Sequence, residues 1–111
     1  LALSNATQTK TITGSAFTAI NTWTQVIGTA DRDGNLNLYR NGVSDAVAVA
    51  NTVTLSITDG TKDLCVGVYS GDETSSNLAG DWALPELIIG QVWTDAQCAN
   101  SFNRERHLFN V

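Results

Sequence analysis

The chain has 111 residues, 42% hydrophobic and only 15% charged, with a net charge of −5 and a sequence pI near 4.4. That length holds one domain with a modest core, and the apolar, charge-poor composition excludes a disordered chain. The acidic balance excludes nucleic-acid binding, which needs basic surface against phosphate, and no apolar run approaches the ~20 residues that span a bilayer.

In chain order, Leu1-Ala2-Leu3 is too short and lacks the basic flank of a signal peptide. The start at Leu suggests a processed chain or a segment of a longer one. Residues 7–13, TQTKTIT, alternate and carry four threonines, as exposed or edge strands do. Gly14-Ser15 then turns into a short apolar run at 16–20. Residues 23–50 read as three strands joined by two glycine turns, Asp33-Gly34 and Asn41-Gly42. Such dipeptides between apolar runs signal hairpins, because both turn residues tolerate positive φ.

Residues 52–58, TVTLSIT, place Val53, Leu55 and Ile57 on one face of a half-buried strand. Residues 63–70 form a further alternating strand, and 71–81 a polar loop. Residues 86–93, ELIIGQVW, are apolar on both faces and predict a central strand. Thr94-Asp95-Ala96-Gln97 then fits a capping box, in which the threonine hydroxyl takes an orphan N–H and the glutamine reaches back. A short helix over 95–104 is predicted, packed through Cys98, Ala99 and Phe102. Arg104-Glu105-Arg106-His107 suits the negative end of that helix.

The pattern W-x-x-V-x-G-T-x-D-x-x-G-N-L-x-L-Y-x-N-G-V over 23–43 resembles the central strands of laminin-G-like, concanavalin-A-like lectin domains. ELIIGQVWTDAQ resembles a shortened form of their ending, a late strand leading into a capped helical turn. The resemblance implies an all-β fold, an antiparallel β-sandwich of jelly-roll type, with one short C-terminal helix, as a single domain over 1–111. Such domains carry several strands before the W-x-x-V element, whereas only 22 residues precede Trp23 here. A sandwich short of strands presents open edges, which invite pairing with another segment or subunit.

Nothing points to catalysis. His107 stands in a C-terminal tail without a Ser or Cys signature, and no glycine-rich phosphate cradle occurs. Glycoside hydrolysis needs two carboxylates flanking one bond, and the related sandwich glucanases carry paired acids on one strand. Here Glu73, Glu86 and Glu105 are scattered. Asp31-x-Asp33-x-Asn35 resembles the first half of a calcium loop, but Leu36 replaces the required glycine. A hairpin turn with solvated acids is the simpler account. Some laminin-G-like domains hold calcium at the sandwich rim, where the candidates are Asp31, Asp33, Asp72 and Asp81; no other cofactor is implied. Cys65 and Cys98 either pair, worth roughly 3–4 kcal/mol by loop closure, or stand as two buried thiols. Their spacing matches no disulfide framework, which favours free thiols.

Trp23 and Trp93 end apolar strands and read as core. Trp82 lies in the polar loop region, where it either plugs the sandwich end or joins Asp81, Asn77 and Asp72 in a ligand site. Two functions remain. One is a non-catalytic recognition module binding a glycan or protein partner. The other is a structural subunit of a virion or filament that acts through its interfaces. Both imply an extracellular, cell-surface or virion-surface setting and attachment to other chains, without membrane insertion.

Overall fold

The structure, a computed structural model, describes residues 1–4, 8–16, 21–53, 68–69, 72–77, 81 and 83–111. Residues 17–20, 54–58 and 63–67, with Cys65 among them, and Trp82 lie outside that set. The fold is antiparallel strands with one short C-terminal helix. The chain divides into two compact units, Leu1–Ile57 with Gln91–Val111, and Thr58–Gly90.

In the first unit, β1 (Ala2–Ser4) pairs with β2 (Thr9–Thr11), inside the predicted threonine strand. The next strands, β3 (Val26–Ala30), β4 (Asn35–Arg40) and β5 (Val43–Ser44), follow in order as one meander. Arg40 pairs with Val43, so Asn41-Gly42 is a two-residue turn, and its φ values of 50° and 76° are both positive. That is the backbone of a type I′ turn, whose twist matches the flanking strands. The first turn is different. Asp31 bonds Asn35 across a longer loop, and Gly34 does not have positive φ. Gly34 is small because a Cβ there would approach the Asp31 carboxylate to 2.6 Å.

The third predicted strand is interrupted. Val43–Ser44 pairs with one end of β4, and β6 (Val49–Ala50) pairs with the other. Between them the register shifts by two residues, so residues 45–48 bulge from the edge. The Asp45 carboxylate stays over the sheet, where it accepts from Arg40 Nη2 at 3.1 Å and from the Ser15 N–H at 3.0 Å.

Alternation along β4 divides the packing. Leu36 and Leu38 face Ile12, with Leu3, Ala46 and Val49 around them, and form the apolar core. Tyr39 points to the other face and meets α1 (Asp95–Glu105). The sheet is thus covered by the β1–β2 hairpin on one side and by the helix on the other. The helix begins as its sequence predicts. Thr94 Oγ1 accepts the Gln97 N–H at 3.3 Å, and Gln97 Oε1 accepts the Thr94 N–H at 2.8 Å. It ends one residue later than predicted, and Arg106–Leu108 continues as a single 3₁₀ turn.

In the second unit, β7 (Val68–Tyr69) pairs with β8 (Asp72–Asn77). The polar run DETSSN is therefore a strand and not the predicted loop. Its pairing is made by backbone groups, which polar composition does not forbid. The prediction of a central strand over 86–93 is overturned: 83–89 carry no regular secondary structure. Leu84 with φ 50° and Gly90 with φ 85° break the extended path on both sides.

Candidate functional site

The acids at the first turn are built into that turn. Asp31 Oδ1 accepts the Asp33 N–H at 3.1 Å, an Asx turn that needs no cation. Asn51 clamps the same loop from twenty residues away. Its Nδ2 donates to the Asp31 carbonyl at 2.8 Å and the Arg32 carbonyl at 3.3 Å, and its own N–H reaches Gly34 O at 2.9 Å. The reading of the sequence missed Asn51, and no local signal marks it. Asp33 is exposed. Calcium takes six to eight oxygens, so these two carboxylates would need further ligands. Among the described residues no three His, Cys, Asp or Glu side chains come together to hold a metal ion.

The other predicted site residues lie in the second unit. Asp72 and Asn77 are the first and last residues of β8, and they pair with the neighbouring residues Tyr69 and Val68 across a register shift. Asp81 is exposed, and Trp82 lies outside the described residues.

A cleft of about 390 Å³ opens between β2 and β4. Leu1, Ile12, Val26 and Leu38 give it an apolar floor, and Ser15, Arg40 and Asp45 a polar wall. Arg40 also donates to the carbonyls of Ser15 and Ala16. Its charge is matched by Asp45, so the wall is neutral and internally bonded. The volume is within the range of small-ligand pockets, but the wall already spends its strongest donors inside the protein.

The seam between sheet and helix is polar at both ends. Tyr39 Oη donates to Asp95 Oδ1 at 2.7 Å, and Gln25 Nε2 donates to Ser101 Oγ at 3.3 Å and Glu105 Oε2 at 3.2 Å. Between them the helix lies on the bare backbone of Gly42, where a Cβ would come within 2.9 Å of Ala99 Cα. Burial, then the Asp95 bond and charge, push Tyr39 up to about 12. Burial also raises the Cys98 thiol, which is free and fully buried in this seam.

Two exposed surfaces were not legible as such. Leu87, Ile88 and Ile89 are exposed, Ile89 at 86%, where the sequence predicts a central strand over 86–93, and Leu84 just before it is exposed too. Trp23, predicted as core, is 40% exposed and lies against Phe109 with ring centroids 5.0 Å apart. Leu108, at 60% exposure, and the exposed Arg104, Arg106 and His107 continue this patch along the chain. No helix among the described residues is long and apolar enough to cross a membrane. Comparison with protein families, curated proteins and solved structures finds no match for this chain.

Proposed function

We propose that this chain is a non-catalytic β-sandwich module of jelly-roll type that works by binding other protein chains. The setting is an extracellular, cell or particle surface, and the chain acts as a recognition module or as a structural subunit of a larger assembly. The observation that carries this reading is the exposed apolar run from Leu84 to Val92. Monomeric proteins rarely leave such runs in water, and contiguous apolar surface marks contact with another macromolecule. The motif resemblance over 23–43 supports the recognition character, and the bulged edge at 45–48 is a device of sheets that must control what pairs with them.

Amide hydrogen exchange over 84–92, followed with native mass across a dilution series, tests this. Protection that appears only when the chain is associated supports it. Protection in a monomer at the lowest concentration overturns it, because the run would then be covered by its own chain. Glycan binding is the second reading, favoured by the exposed Asp81 beside Trp82 in sequence. A glycan array with Trp82→Ala as control decides it.

A further inference from the structure

The association reading leaves the partner open, and charge narrows it. The stretch 81–89 carries Asp81 and Glu86 with no Lys or Arg, and its apolar side chains Leu84, Leu87, Ile88 and Ile89 are exposed. The patch at the end of the helix has the opposite character. It combines exposed Trp23 and Leu108 with Arg104 and Arg106, two of only six Lys and Arg in the chain. The acid between those arginines does not neutralise both. Glu105 is turned inward, accepting from Gln25 and Ser101, and bonds Arg104 alone at 3.0 Å.

Among the described residues, one chain therefore exposes an acidic apolar stretch and a cationic apolar patch. We propose that the partner is a second copy of this chain, with 81–89 of one copy seated on the patch around Trp23, Arg106 and Leu108 of the next. This rests on the association reading above and names its partner. The two surfaces differ, so the contact is head-to-tail, and such contacts propagate unless their rotation closes a ring. The charges set direction and register, and the leucines and isoleucines leaving water supply the affinity.

The test uses light scattering of the full chain over a concentration series, with two double variants. Glu86→Lys/Ile89→Lys destroys the stretch, and Arg106→Glu/Leu108→Asp destroys the patch. All four side chains are exposed, and the helical circular dichroism signal reports folding; Leu108→Ser is the milder substitute if that signal is lost. The wild-type mass is expected to rise with concentration, and each variant alone to associate at least about tenfold more weakly. An equimolar mixture of the two variants is expected to stop at the dimer, because one intact stretch meets one intact patch. A patch variant that associates like the wild type, or a mixture that stays monomeric, overturns the proposal while leaving the association reading intact. A wild-type chain that is monomeric throughout also overturns it. The exchange measurement over 84–92 then decides the association reading separately.

Discussion

Replacing Tyr39 by Phe removes one hydroxyl from the seam between sheet and helix. The ring is 4% exposed, and the hydroxyl donates to Asp95 Oδ1 at 2.7 Å. A hydrogen bond to a charged acceptor contributes roughly 1.5–3 kcal/mol. Asp95 itself is exposed, so water replaces part of what is lost, and the expected cost at neutral pH is about 1–1.5 kcal/mol. The same hydroxyl shapes the alkaline limb. Its pKa rises from 10.0 to about 12 on folding, first through burial and then through the Asp95 bond and charge. The folded chain therefore holds this proton more tightly than the unfolded chain. The resulting stability is whole below pH 10 and drains as pH rises through 12. That displacement corresponds to on the order of 2–3 kcal/mol across the interval. The Cys98 thiol, raised by burial and then by the Asp95 charge, acts in the same direction, so Cys98→Ala is the needed control. Urea unfolding across alkaline pH reads both effects. Tyr39→Phe should start lower and fall less steeply than the wild type. An unchanged alkaline slope in Tyr39→Phe would refute the assignment of that limb to this hydroxyl.

Thr94→Ala should lower stability by about 1 kcal/mol in thermal unfolding, because it frees the Gln97 N–H at the helix start. Gly42→Ala should cost about 2–3 kcal/mol: an alanine at φ 76° is strained, and its methyl would meet the helix backbone. Gly34→Ala should cost less, since the obstructing Asp31 carboxylate is the movable end of a side chain; paired urea titrations compare the two. Asn51→Ala should remove roughly 1–2 kcal/mol and speed amide exchange over 31–34, while exchange in the helix changes little.

Where a feature is encoded within a few residues, the sequence is readable. Asn41-Gly42 carries its own turn chemistry, and Thr94 to Gln97 carries its own cap, so the β4–β5 hairpin and the helix start follow directly. Asp33-Gly34 shows the limit of that reasoning. The dipeptide does mark a turn, yet its glycine answers to the Asp31 carboxylate and not to a positive φ. Residues 43–50 read as one strand, and the composition of the run does not report the two-residue register shift at 45–48 that divides it. DETSSN pairs through its backbone, which composition does not report. ELIIGQVW failed for a different reason. Apolarity shows that a run avoids water but not whether its cover comes from the same chain or another. The candidate calcium acids were visible as acids, while the role of Asp31 depends on a bond to Asp33 and a clamp by Asn51.

The first unit is made from two separated lengths of chain, so Thr58–Gly90 is carried as an insert within it. The helix must return to a hairpin formed long before it in sequence, and the entropy of closing that loop depends only weakly on its length. Doubling the intervening stretch costs only about 0.6 kcal/mol if it is flexible. Evolution can therefore lengthen, shorten or exchange the insert with little effect on the seam at Tyr39, Gly42 and Gln25. A chain cut within it still carries, on its two fragments, the complementary halves of that seam, and reassembly from separate pieces becomes a question of concentration.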